Sequence, residues 1–316
     1  MDGFKTTKSY KITSQDGHQL YVEESGPSDG IPALFLHGGP GAGIGQHYQW
    51  LFAGTNYRVI AFDQRGCGRS LPTASLDNNT TAAHLSDIEL IRDFFGIDKW
   101  LVFGGSWGST LGLVYAIAHP KRVLGMILRG IFLAREADTD WFLSPSGGAA
   151  QVFCEEYAEF TESFTFTNSK ELCNYFFGKL TGEHEEIRIK YAQLWFNWEG
   201  NISRLKPSKL VASQQASKAQ IYSLALMECY YLMNNCFIDE NFILNNTKAI
   251  SNIPMHIVHG RYDMVCKFEA ASSLHKQLPK SKLFAVDNAG HSMAEAGINK
   301  TLNKSLHYFS QLLDES

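Results

Sequence analysis

Ser106 stands in Gly104-Gly105-Ser106-Trp107-Gly108, a G-x-S-x-G pattern between an apolar run and the helix-forming stretch TLGLVYAIAH. A serine held in a sharp strand-to-helix turn lifts its hydroxyl above a sheet, and flanking glycines relieve the crowding there. A Gly/Ser turn without chemistry would show the same five residues; the strand–turn–helix setting argues for a nucleophile. A hydroxyl is a poor nucleophile until a base takes its proton, so a histidine and an orienting acid are required. The chain order that accompanies this elbow is Ser, then Asp or Glu, then His. His291, in DNAGHSM after the run KLFAV, lies on a glycine-containing loop near the C-terminus, where that base belongs. His256 and His259 fall inside PMHIVHG and read as satisfied strand histidines. Asp263, in HGRYD after IPMHIV, is the acid. Asp287 sits on the same loop as His291, too near in sequence to orient the ring well. Asp63 precedes the serine and reads as an anchor of its own loop. The chemistry implied is acyl transfer, which needs two backbone N–H groups where negative charge develops. Trp107, next after the serine, supplies one, and Gly39 of His37-Gly38-Gly39-Pro40-Gly41 supplies the other.

Something must hold these residues at one edge. Apolar runs at 31–36, 57–62, 100–103 and 123–128 each lead into a glycine-rich turn, and runs of this kind read as parallel strands buried on both faces. Helical stretches at 81–95 and 109–119 alternate with them, which argues a doubly wound α/β sheet with its chemistry at the carboxyl ends of the strands. Before them, KSYKITSQDGHQLYVEES alternates around Asp16-Gly17 as a hairpin does. From 136 to about 246 the chain is aromatic-rich and helix-like without a buried strand, and strand logic returns at 253–258 and 282–286. A mostly parallel sheet over 1–134 and 247–316, with an inserted helical cap domain over 135–246, is the expected organisation.

The 316 residues suffice for such a domain plus its insertion. A net charge of -4 and the lack of a basic run argue against nucleic acid. No apolar stretch is long enough to span a membrane, and MDGFKTTKSYK shows no leader pattern. Six scattered cysteines without a CxxC suit reduced thiols better than a disulfide framework or a zinc site, so a cytoplasmic setting is expected.

The motifs together resemble the prolyl aminopeptidases (proline iminopeptidases) of the α/β-hydrolase superfamily. The matching stretches are HGGPG (37–41), DQRGCGRS (63–70), NTT and DIE (79–81, 87–89), GGSWGST (104–110), LRGIF (128–132), WFNWE (195–199), HGRYDMVC (259–266) and GHS (290–292). The resemblance implies an α/β-hydrolase fold and a cofactor-free acyl-enzyme mechanism. It implies short peptides with an N-terminal proline as substrates, and Ser106, Asp263 and His291 as the triad. Glu199 and Glu228, lone acids in apolar helical sequence, match the glutamates that hold the substrate's N-terminal nitrogen. Such a carboxylate is costly unless paired. Arg129 is the competing partner, through a salt bridge that would pin cap to core, and the two roles can coexist. Phe132 and Phe142 match the proline pocket, although Phe142 stands where a tyrosine is common and Leu232 where an aromatic is expected. Lys267 replaces the proline that usually follows the cysteine. The rival readings are an esterase or amidase of the same fold, and a non-catalytic ligand-binding member. Epoxide and haloalkane hydrolases place an aspartate where Ser106 stands.

Overall fold

The computed structural model describes residues 6–45, 47–206 and 216–314. The first five residues, part of the start in which no leader pattern was read, lie outside the described residues. The strands are β1 (Thr6–Thr13), β2 (Gln19–Ser25), β3 (Ile31–Leu36), β4 (Tyr57–Asp63), β5 (Trp100–Ser106), β6 (Val123–Ile131), β7 (Met255–Gly260) and β8 (Ser281–Val286). They form one sheet in the order β1-β2-β4-β3-β5-β6-β7-β8. The first two strands pair antiparallel, β2 joins β4 antiparallel, and every later pairing is parallel.

Helices cover both faces, which is what continuous apolar strands demand. The core helices are α1 (His47–Phe52), α2 (Thr81–Phe94), α3 (Trp107–Ala118), α11 (Phe268–Gln277) and α12 (Ala296–Asp314). Trp100, Val102, Met126 and Leu128 pack beneath α2, α3 and α11, while Phe103, Ile127 and Val258 meet α1 and α12 on the other face. Each such large side chain, fully buried, contributes on the order of 1.5–3 kcal/mol.

Two strands run further than the apolar pattern suggested. β5 continues through Gly104-Gly105 to Ser106, and β6 through Arg129 to Ile131. Gly105 pairs with Arg129 but Ser106 with Ile131, so Gly130 is an extra residue in the ladder. It takes φ +56, and a Cβ there would lie 2.8 Å from Cε1 of His291. The bulge thus brings two strand ends and the His291 ring together without a side chain between them.

Between β6 and β7 every described regular element is helical. These are α4 (Glu136–Leu143), α5 (Gly148–Val152), α6 (Cys154–Phe160), α7 (Ser169–Leu180), α8 (Glu185–Ile202), α9 (Lys218–Met233) and α10 (Phe242–Asn245), with two short 3-10 turns. Helix α9 is docked through residues of the recognised motifs. Tyr231 donates to Asn79 Oδ1 at 2.8 Å, and Ser223 donates to the Gly66 carbonyl at 2.7 Å. Thr81 donates to the carbonyl of Cys236 just beyond the helix. Arg65 grips Asp87 with two bonds of 2.6 and 2.8 Å, both side chains buried. The NTT and DQRG motifs therefore fasten the insertion to the sheet, while Asp87 of DIE braces DQRG from α2, and breaking such a buried pair costs about 3–5 kcal/mol.

Candidate active site

Ser106 ends β5 with φ 57 and ψ -127 and is 8% exposed. A non-glycine residue in this region is strained and persists only where its surroundings over-determine it. The surroundings here are backbone. A Cβ at Gly104 would come within 2.2 Å of the Gly108 carbonyl, and one at Gly108 within 2.2 Å of the Leu36 carbonyl. Only glycine lets helix α3 start this close to β3 and β5.

Trp107 opens α3, so its N–H is one of the unpaired donors of a helix N-terminus. Facing it is the HGGPG loop, where a Cβ on Gly38 would touch Ser106 Cβ at 3.3 Å and Gly39 adopts φ +105. His37 sets this loop. Its Nε2 accepts from the Gln64 N–H at 3.0 Å and its Nδ1 donates to the Gly38 carbonyl at 2.8 Å. Burial drives the His37 pKa down to about 4, so the ring stays neutral in the tautomer those bonds need. Gln64 also accepts from Trp107 Nε1 at 2.8 Å and donates to the His37 carbonyl at 3.0 Å. Gln64 is a residue the sequence reading did not single out, although it lies inside DQRG. Asp63 anchors its loop, as expected, by accepting from the N–H groups of Ile44 and Arg69.

His291 Nδ1 donates to Asp263 Oδ2 at 2.7 Å. The other oxygen of Asp263 accepts from the N–H groups of Val265 and Cys266 at 2.9 and 2.8 Å. Burial alone would raise the Asp263 pKa, but His291 and these donors hold it below the usual carboxylate range. His259 is satisfied by the Ile131 N–H and the Cys266 carbonyl, and His256 by Ser305. Asp287 lies at the surface beside Arg261.

With its proton on Nδ1, His291 has one lone pair left at Nε2. Arg129 Nη1 donates to that lone pair at 2.9 Å, and to the His291 carbonyl at 2.9 Å. The competing possibility, an Arg129–glutamate salt bridge, is not formed among the described residues; the guanidinium contacts His291 instead. The cause is the register of β6: Arg129 extends across the bare face of Gly105, where a Cβ would meet its guanidinium at 2.6 Å. The Nε of Arg129 is buried with no hydrogen-bond partner among the described residues. Burial lowers its pKa, although Asp263 and Glu199 pull the other way. The His291 pKa is also lowered, by burial first and Arg129 next, against the pull of Asp263 and Glu295. A cavity of about 160 Å³ borders this group, lined by Gly38, Gly105, Arg129, Tyr48 and Met293.

Glu199 and Glu228 come from adjacent helices, α8 and α9. Glu228 is buried and accepts from Trp195 Nε1, one helical turn before Glu199. Burial, and then the nearby Glu199, push the Glu228 pKa well above the usual range. Glu199 is half-buried, and burial raises its pKa to about 7 against the pull of Arg129. Two acids held this close resist ionising together, because each negative charge disfavours the other.

The α/β hydrolase fold family matches residues 32–297 of the chain. A probable proline iminopeptidase of Leptolyngbya boryana is 43% identical over 286 residues, covering 90% of this chain and 88% of that one. The proline iminopeptidase of Neisseria meningitidis serogroup A is 42% identical over 275 residues, covering 87% of each. The chain belongs to the proline iminopeptidase family. Solved structures agree on the fold: an Exiguobacterium antarcticum esterase superposes with TM-score 0.68 at 20% identity, covering 96% of this chain and 100% of that one. A Mycobacterium smegmatis proline iminopeptidase does so with TM-score 0.61 at 19% identity, covering 97% and 100%.

In this family member Phe132 and Phe142 are both buried in the cluster that includes Trp195. Phe142 meets Trp195 edge-on with ring centres 6.3 Å apart. Phe132 is held by its backbone, which donates to Ser109 and accepts from Thr110. Leu232 is partly buried against the same core. Lys267 pairs with Glu269 at 3.1 Å and reaches Asp138 at 3.6 Å, so the place usually taken by proline carries an ion-pair contact here. Trp195, named above only as the start of WFNWE, is the partner of Glu228, a role the sequence reading did not give it. Its signal was present, since Trp195 and Glu199 are four apart and share a helix face.

Proposed function

We propose that this chain is a serine aminopeptidase that releases N-terminal proline from short peptides, with the helical segment 135–246 serving as a cap that reads the substrate's amine. The observation that carries the reading is the carboxylate pair of half-buried Glu199 and buried Glu228, on helices that lie over an Asp263–His291 pair and a strained Ser106. An ester or amide hydrolase without a cationic substrate gains nothing from two desolvated acids and pays their burial cost.

In the proposed mechanism the substrate's cationic nitrogen sits between Glu199 and Glu228, and the proline ring lies toward Phe132 and Phe142. Arg129 leaves Nε2 of His291, drawn by Glu199. His291 then takes the Ser106 proton as the hydroxyl attacks the carbonyl, and Asp263 holds the ring and stabilises the imidazolium. The N–H groups of Trp107 and Gly39 receive the oxyanion. His291 returns its proton to the departing amine, and water then releases proline from the acyl-enzyme by the same steps. Fixing the nitrogen and the nucleophile at once limits cleavage to the first peptide bond.

The test is release of a chromogenic amine from proline, alanine and N-acetyl-proline conjugates by wild type, Ser106→Ala and Glu228→Gln. Rapid cleavage of the free proline conjugate is expected, lost in Ser106→Ala, strongly reduced in Glu228→Gln and absent for the acetylated compound. Cleavage that depends on Ser106 but ignores acetylation would overturn the aminopeptidase and leave an esterase or amidase.

A further inference from the structure

The base loop and the amine-reading helix meet at one place. The Ser203 carbonyl, at the end of α8, accepts from both the His291 and Ser292 N–H groups at 3.0 and 2.8 Å. Ser203 itself donates through its N–H to the Glu199 carbonyl, so the loop hangs from the turn that carries Glu199. Beside this, Glu295 spreads its carboxylate across the seam. Oε1 accepts from the Leu205 N–H at 2.8 Å and Oε2 from the Gly290 N–H at 2.5 Å. The backbones are pressed together here. A Cβ on Gly290 would meet Leu205 N at 3.1 Å, and one on Gly260 would meet the Gly290 carbonyl at 1.9 Å. Resting on the aminopeptidase reading above, we propose that Glu295 is a positioning residue for the base. By clasping Gly290 and Leu205 it fixes where His291 stands relative to the amine site on α8.

Two consequences follow from the chemistry of a carboxylate. Only an ionised acid accepts from two N–H groups with two equivalent oxygens; a glutamine offers one oxygen and must turn an N–H₂ toward one of the donors. The charge also acts on the imidazole. The groups facing His291 are Asp263 and His259 from the β7 end, Arg129 from β6 and Glu295 from its own loop. Arg129 disfavours the imidazolium, while Asp263 and Glu295 favour it, so removing the Glu295 charge makes His291 a weaker base.

The experiment compares full-length wild type, Glu295→Gln, Glu295→Asp and Glu295→Ala. It measures hydrolysis of a proline p-nitroanilide across pH, the rate at which a fluorophosphonate labels Ser106, and melting temperature. In Glu295→Gln, kcat and the labelling rate should fall together by about tenfold or more, because sub-ångström displacement of a reacting group is that costly. KM should stay within about twofold, since the substitution leaves Glu199 on α8 and Glu228 on α9 in place. The acid limb of kcat/KM should move to lower pH in Glu295→Gln and stay in place in Glu295→Asp, which keeps the charge. Variants that melt earlier yet label, turn over and titrate like wild type would overturn the proposal and leave Glu295 as a fastening only. Labelling does not depend on proline. A wild type that labels rapidly but ignores proline substrates would fault the aminopeptidase reading, and the Glu295 proposal would still be decided by the labelling rates.

Discussion

Replacing Glu199 by glutamine should cost activity in a way that depends on pH, and the dependence follows from the raised pKa of that one carboxyl. A charge-assisted bond from the substrate's ammonium to a carboxylate contributes about 1.5–3 kcal/mol, a factor of roughly 10–150, and a neutral amide cannot replace it. That contribution exists only where Glu199 is ionised. With its pKa near 7, Glu199 is about 3% ionised at about pH 5.5 and about 75% ionised at about pH 7.5. The ratio of wild-type to Glu199→Gln kcat/KM should therefore be roughly 10–100 at the higher pH and roughly fivefold or less at the lower. Taking the ratio removes the titration of His291, which both proteins share. Because kcat/KM reports the free enzyme, the midpoint of the change reads the Glu199 pKa directly. Initial rates with a proline p-nitroanilide between about pH 5 and 8 would supply the curve. A ratio that stays constant across that range, or that grows as pH falls, would refute the idea that ionised Glu199 reads the amine.

Arg129→Met should shift the acid limb of kcat/KM to higher pH. Burial depresses His291 and Arg129 depresses it further, so removing the cation raises its pKa and the imidazolium gives up its proton, becoming the active base, only at higher pH. A limb that moves to lower pH, or does not move, would show that the contact at Nε2 has no hold on the base. Alkylation of the native protein by iodoacetamide should reach Cys154 first and leave activity intact, because Cys154 is exposed while burial holds the Cys266 thiol well above its normal pKa. Peptide mapping that finds Cys266 modified before Cys154 would contradict that order.

The sequence by itself put forward the candidate site residues Ser106, Asp263, His291, Glu199 and Glu228. Ser106 was legible because a strained elbow admits few residue types. Gly104 and Gly108 sit where any Cβ would strike backbone. Asp263 and His291 were legible because this fold brings its strands' carboxyl ends together in a known order, so position along the chain implied position in space. The two glutamates stood out because an ionisable group in an apolar helix needs a reason.

What the sequence could not carry were relations between distant segments whose residue types are ordinary. Glu295 on a surface turn has no pattern around it, and its meaning lies in two N–H groups from segments that are far apart in the chain. Gln64 is the same case, a polar residue whose value comes from joining His37 to Trp107. Arg129 was noticed, and a salt bridge to one of the two glutamates was the alternative weighed against their binding an amine. A contact with His291 was not among those readings; the bulge at Gly130 and the bare face of Gly105 turn the guanidinium to it. A charged side chain's need for a partner is written in the sequence. Which partner it meets is a matter of strand register and of where the backbone leaves room, and only the tertiary structure decides those.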